Sequence, residues 1–374
     1  MAVPKLRFKE FGSEYITTTF EKLEGFSIQS GKSDSKEDSG EFPFYGSTGV
    51  IGYKDSYDYC DEAILIARVG ANAGSLYQVK GKYSVSDNTL MLCTSDKTNL
   101  NYLRELLIKF NLNQLVFGTG QPLVTGGMIK KVSIAIPSLG EQTKIASFLS
   151  AVDEKISQLT QKHELLSQYK QGMMQKLFSQ QIRFKADDGS EFGEWEVIQA
   201  NQIFENYSNK NHDGTLTILA ATQDKGVVPR DEIDIDIKSS DASVLSYKII
   251  EKGNFVISLR SFQGGIEYSN YHGICSPAYT ILKSIKPIAS GFYKNYLKTN
   301  DFIQRLSATV IGIRDGKQIS YQAFSTLMID YPSVEEQTKI AYFLSAIDQK
   351  IEVVAQQIEQ AKQWKKGLLQ QMFI

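Results

Sequence analysis

Ile136-Pro137-Ser138-Leu139-Gly140-Glu141-Gln142-Thr143-Lys144-Ile145-Ala146-Ser147-Phe148-Leu149 opens a stretch that the chain uses twice. It returns as Tyr331-Pro332-Ser333-Val334-Glu335-Glu336-Gln337-Thr338-Lys339-Ile340-Ala341-Tyr342-Phe343-Leu344. The match runs to Phe178 and Phe373 at a constant offset of 195, and 22 of the 43 positions are identical. This is an internal repeat. Each copy reads as one long helix. Ser138 or Ser333, followed three residues later by Glu141 or Glu336, predicts a capping box in which the glutamate reaches back to the serine. Apolar positions then step by three and four: Leu149, Val152, Ile156, Leu159, His163 and Leu166 in the first copy. Leu344, Ile347, Ile351, Val354, Ile358 and Ala361 do the same in the second. Such a seam wants a partner helix. Its register weakens at Lys170 and Lys365 and resumes at Met173 and Leu368. Gly172 and Gly367 sit inside the helices at a cost of about 1 kcal/mol each, which predicts a close approach, a bend or an end there.

A chain of 374 residues with 42% hydrophobic side chains suits two domains plus connecting helices. No apolar run approaches about 18 residues and no signal-like segment opens the chain, so a cytoplasmic protein without a membrane span is expected. Three scattered cysteines fit a reducing compartment and argue against disulfides or zinc. The net charge of -1 is low for a protein that holds DNA alone, so partners or local patches would have to supply backbone grip.

The repeat includes the segments between the helices. Leu6-Arg7-Phe8-Lys9 resembles Ile182-Arg183-Phe184-Lys185, and the run Ala63 to Ala67 ending at Arg68 resembles Phe255 to Leu259 ending at Arg260. Each arginine precedes a glycine-bearing loop, Val69 to Gly74 or Ser261 to Gly265. The order is domain 1 (1-136), helix (137-179), domain 2 (180-331), helix (332-374). If the helices pair antiparallel, the domains sit at opposite ends of a rod with pseudo-twofold symmetry. Helix 2 would then end near the start of domain 1. A helix of 38 residues is about 57 Å long, and successive major-groove half-sites lie about 34 Å apart. Two readers on such a spacer suit a split DNA sequence. Glu232 to Ile237 alternates acid and isoleucine, as a strand with one acidic face would.

No reaction centre emerges. His163 lies in the seam, and His212 and His272 lack metal-ligand spacing. Gly31-Lys32-Ser33 lacks the earlier glycine of a phosphate loop, because position 26 is Phe26. No nucleophile elbow and no Asn/Asp-Pro-Pro-aromatic methyltransferase motif occurs. A non-catalytic chain with no metal or cofactor of its own is expected.

The helix starts resemble the I-P-x-P-P-L-x-E-Q-x-x-I-A element of specificity (S) subunits of type I restriction-modification systems. Tyr45 to Gly52, Arg68-Val69-Gly70 and Ser86-Asp87-Asn88 resemble motifs of one class of target recognition domain. Leu259 to Gly265 with Ser276-Pro277-Ala278-Tyr279 resembles another class. Ser138 and Ser333 depart from the family's second proline. The resemblance implies an α+β protein with two similar target recognition domains, separated by two long antiparallel helices that form a coiled-coil spacer. It implies double-stranded DNA, two methyltransferase (M) and two restriction (R) subunits as partners. S-adenosylmethionine, ATP and Mg2+ would be used by those partners, which methylate adenine N6 after base flipping and cleave DNA. A silent copy would bind methyltransferase subunits without imposing a motif.

For such a reader, Arg68 and Arg260 could fork onto guanine, or else form ion pairs. Asn72, Thr119, Gln121, Gln263, Arg314 and Lys317 are further loop candidates for groove or phosphate contact, with plain solvated loop residues as the alternative. Lys130 and Lys131 suit phosphates.

Overall fold

The computed structural model describes residues 3–33, 37–115, 122–233, 241–309 and 319–374. The chain forms two compact units, Met1–Gln161 with Val354–Ile374, and Lys162–Val353.

In the first unit, Ala63–Ala67 is buried along its whole length. Alternation sends Ile64 and Ile66 into one core and Ala63 and Leu65 into another, so both faces of this strand are covered. It is central in an antiparallel sheet ordered Ser27–Ser30, Thr89–Cys93, Ala63–Ala67, Leu76–Val79. The helix Leu100–Phe110 covers one face, capped by Asn99, whose side chain accepts from the Tyr102 N–H. Ile16–Thr19 pairs with Ser133–Ile136, the strand that leads into the first long helix.

The second unit repeats the plan. Its sheet runs Phe204–Tyr207, Thr280–Ser284, Phe255–Ile257, Glu267–Tyr268, again antiparallel. Phe255 and Ile257 enter one core and Val256 the other. Glu196–Gln199 pairs with Met328–Tyr331 ahead of the second long helix. Glu232 closes a short 3-10 turn and is not in a strand; residues 234 to 237 lie outside the described residues.

The long helices are Leu139–Phe178 and Val334–Met372, each about 60 Å at 1.5 Å per residue. Each serine accepts from the glutamate N–H, Ser138 at 3.4 Å and Ser333 at 3.3 Å. The expected reciprocal half of the capping box does not form. Glu141 is fully buried and takes a two-pronged grip from Arg7, Nε to Oε1 and Nη2 to Oε2, both 2.7 Å, with the Tyr15 hydroxyl at 3.1 Å. Glu336 is held identically by Arg183 at 3.0 and 2.8 Å, and by Trp195 Nε1 at 2.9 Å. A buried carboxylate has up to four lone-pair sites to satisfy, and a guanidinium fork meets both oxygens where a backbone N–H meets one. The neighbouring amides are equally committed. Gln142 accepts from the Asn99 N–H and donates to the Pro137 carbonyl, both at 3.0 Å, while Gln337 does the same with Ala289 and Pro332 at 2.9 and 2.8 Å.

Each unit contains parts of both long helices. In the first, Leu149 and Val152 share a core with Leu368, Leu369 and Met372. Phe148 meets Trp364 edge-on, and Phe373 packs on Tyr102 at 5.1 Å. The Leu6 N–H donates to the Gln371 carbonyl at 2.9 Å. In the second, Leu177 shares a core with Leu344 and Ile347, and Phe178 packs on Phe292. The lysines at which the seam weakens are ion-paired. Lys365 meets Asp153 at 2.7 Å and Glu105 at 3.0 Å, and Lys170 meets Asp348 at 2.7 Å. Gly172 and Gly367 neither end their helices nor lie against a neighbouring backbone. Among the described residues no helix is long and apolar enough to cross a membrane.

Leu344 is completely buried, so Leu344→Ala should lower unfolding free energy by about 2–5 kcal/mol in urea titration. A loss below about 1 kcal/mol would contradict the packing described.

Candidate nucleic-acid interface

Arg68 follows directly on the buried strand, which fixes its backbone. Its N–H donates to the Asn88 carbonyl at 3.0 Å and its own carbonyl accepts from the Val124 N–H at 2.9 Å. The side chain is half-buried; Nη1 donates to Ser30 Oγ at 3.3 Å and to the Asp87 carbonyl at 3.4 Å. These bonds are long and their acceptors are neutral. Nε has no hydrogen-bond partner among the described residues, and no carboxylate there pairs with the guanidinium. The ion-pair alternative therefore does not hold among the described residues; Nε itself is buried from solvent, so only the terminal nitrogens could meet a ligand.

The loop after Arg68 is built by local hydrogen bonds. Gly70 and Gly74 adopt left-handed backbone, at φ of 79° and 88°, and the Gly74 N–H closes onto the Ala67 carbonyl at 2.8 Å. Asn72 is exposed on this turn. Val69 bridges to Leu123, and the Gly70 N–H donates to the Pro122 carbonyl. The loop is thus tied to the residues that immediately follow Thr119 and Gln121, which themselves lie outside the described residues. Lys130 and Lys131 are exposed at the end of the short helix Gly126–Lys130, and no described contact joins them to Arg68.

In the second unit Arg260 is exposed and leads into one helical turn, Ser261–Gly264, where a flexible loop was expected. Buried Ser261 pins the turn by accepting from the Ser258 N–H at 2.9 Å. Among the described residues nothing pairs with the Arg260 guanidinium, and Gln263 beside it is also exposed. Gly265 has a φ of 80°, and a Cβ there would lie 2.3 Å from the Leu297 carbonyl oxygen. Below the turn, buried Glu267 is paired with Lys298, which also donates to the Gln223 carbonyl at 3.2 Å. Burial pushes the Glu267 carboxyl above its usual range against the opposing pull of Lys298. Arg314 and Lys317 lie outside the described residues.

Each unit therefore offers an arginine just after a buried strand, directly in the case of Arg68 and three residues on in the case of Arg260, on a turn that also carries an exposed amide. A guanidinium so placed can donate twice to guanine O6 and N7, and an amide can bridge adenine. Ser30 and Asn88 come to Arg68 through strand pairing, across separations that no local motif reveals.

The family described as type I restriction modification DNA specificity domain matches residues 18–168 and again 193–363. The chain belongs to that family. Among individual relatives it is similar to the type I restriction enzyme MjaVIII specificity subunit of Methanocaldococcus jannaschii. The identity is 27% over 332 residues, which are 82% of this chain and 77% of that one. A putative MjaX specificity subunit of the same organism is 24% identical, over 79% of this chain and 72% of that one. Among solved structures, a type I restriction-modification S subunit from M. genitalium aligns over 100% of this chain and 99% of that one. The TM-score is 0.64 at 18% identity, a likeness of fold. As a member of the specificity family, the chain recognises DNA sequence in a type I restriction-modification system. Among the described residues no group of histidine, cysteine and acidic side chains could hold a metal ion.

Arg260→Ala should weaken recognition of one half of the DNA target and leave the other half and the melting temperature unchanged, because the side chain is exposed and unpaired among the described residues. Methylation of substrates altered in either half measures this; equal loss at both halves would contradict the assignment.

Proposed function

We propose that this chain is the specificity subunit that gives a type I restriction-modification complex its bipartite target. Residues 1-136 and 180-331 would each read one half, and the paired long helices would set the unread gap. The observation that carries this reading is the combination of sameness and difference between the units. Strand order, the arginine–glutamate grip and the glutamine bonds recur, whereas the reading turns differ in sequence and backbone.

Support for a spacer of antiparallel helices comes from the repeat-related pairs Asp153 with Lys365 and Lys170 with Asp348. In each, a lysine from late in one helix meets an aspartate from early in the other. Leu149, Val152, Ile156 and Leu159, with Leu344, Ile347, Ile351, Val354 and Ile358, would form the seam, and Leu166 would extend it.

Catalysis belongs in this account to other subunits in the cytoplasm. Two methyltransferase subunits would bring S-adenosylmethionine, and two restriction subunits ATP and Mg2+. A chain of net charge -1 would share the work of gripping phosphates with them.

Selection of bound duplexes from a randomised pool, using the chain reconstituted with its methyltransferase subunit, should enrich two short fixed blocks separated by unspecified bases. Binding of the methyltransferase with no enriched sequence would contradict the reading and leave a silent scaffold.

A further inference from the structure

Arg260 and Gln263 have a neighbour of similar chemistry on another element of their own unit. Strands Ile218–Thr222 and Gly226–Pro229 pair as an antiparallel hairpin, and its tip carries Gln223, Asp224 and Lys225, all exposed. The tip is fixed from within. Thr222 Oγ1 donates to the Gly226 carbonyl at 2.9 Å and accepts from the Lys225 N–H at 3.1 Å. Gly226 supplies the left-handed backbone that closes the turn, at a φ of 75°.

The tip is also moored to the turn and strand that follow Arg260. A Cβ at Gly264 would lie 2.9 Å from Gln223 Cγ, so the tip lies directly against the turn Ser261–Gly264. A Cβ at Gly226 would lie 2.9 Å from the Tyr268 carbonyl oxygen. Lys298 Nζ joins the two sides, donating to the Gln223 carbonyl at 3.2 Å while it pairs with buried Glu267. Glu267 Oε2 is buried with no hydrogen-bond partner among the described residues. A buried ion pair that leaves an oxygen unsatisfied is a poor source of stability. What it does is hold a carbonyl of the tip at one place beside the Arg260 turn.

The first unit holds the same position by other means. Its hairpin is Phe42–Gly46 with Gly49–Lys54, and each unit's hairpin pairs in parallel with the strand that precedes Ser86 or Ser276. Ser47 follows its strand as Gln223 does, and its carbonyl accepts from the Tyr77 hydroxyl at 3.3 Å. Tyr77 lies on Leu76–Val79, which pairs with the strand ahead of Arg68. A tyrosine in one unit and a lysine–glutamate pair in the other thus hold corresponding carbonyls, while the tips differ, Ser47-Thr48 against Gln223-Asp224-Lys225. A fixed place with changing side chains is also the pattern of the Arg68 and Arg260 turns. Among the described residues no hydrogen bond or ion pair engages the side chains of Gln223, Asp224 or Lys225. Asp224 and Lys225 cancel in charge, so the tip is no phosphate grip, and the Gln223 amide is the group suited to a base edge.

We infer that the tip at Gln223 is a second reading element of the second target recognition domain, and that Glu267 and Lys298 are the positioning pair that holds it beside Arg260. The inference rests on the function proposed above. Gln223 meets a base edge in the half that Arg260 reads, with adenine N6 and N7 as the matching donor and acceptor.

Binding of the full chain, reconstituted with its methyltransferase subunit, to duplexes altered one base pair at a time tests this. Gln223→Ala should lower the preference for the matched duplex about tenfold at one position, in the half that Arg260→Ala affects. The other half and the melting temperature should be unchanged. Lys298→Met with Glu267→Leu removes the mooring without leaving a lone buried charge. That variant should lose the same preference, and adding Gln223→Ala to it should cost nothing further, whereas Lys298→Arg should keep the preference. Undiminished preference throughout that half in Gln223→Ala would overturn the reading element and leave the specificity function intact. Equal weakening of both halves in the mooring variant, with Gln223→Ala still costing its full tenfold there, would overturn the positioning role. An unaltered chain that prefers no sequence would overturn the proposed function itself.

Discussion

A buried carboxylate at the start of each long helix is the constraint on which the rest depends. Glu141 and Glu336 are fully shielded from water, and an unpaired charge there would be strongly destabilising. Each is met by an arginine from the first residues of the domain that precedes its helix, more than a hundred residues away. The same guanidinium donates to a backbone carbonyl of that segment, Ser13 at 2.5 Å or Gly193 at 2.6 Å. A domain's first residues and the helix that follows its last strand are thereby fastened together. Buried ion pairs often add little net stability, but removing one partner leaves an uncompensated buried charge, so the arginine and the glutamate must stay together.

The adjacent glutamine extends the lock. Gln142 and Gln337 each bridge a proline carbonyl at the helix start and the N–H that opens a helix of the domain. Strand pairing on one side and these side chains on the other hold the domain to its helix while leaving the turns at Arg68 and Arg260 free to differ. A specificity subunit needs this separation. The frame must stay constant while the residues that touch bases change, and base-reading side chains act only when the backbone beneath them is fixed.

Much of this was legible in the sequence because the chain contains its own comparison. The repeat located both long helices and the buried strands that precede Arg68 and Arg260, although the second strand ends at Ile257, short of the expected Leu259. Local reasoning erred at Glu141 and Glu336, because the serine–glutamate spacing matches a capping box and the competing arginine lies far away in sequence. Of the alternation from Glu232 only the first two residues are described, and Glu232 closes a 3-10 turn. The candidate reading residues were least legible. An exposed arginine on a turn is chosen by a ligand, and its sequence signal is the same with or without one.

The central claim is that this chain imposes one split sequence on the methylation of a genome. Long-read mapping of N6-methyladenine, in cells with and without the gene and with the methyltransferase subunit present in both, tests it most directly. The account predicts that a single motif of two short blocks and a fixed gap loses its methylation when the gene is removed. An unchanged methylation map would contradict it.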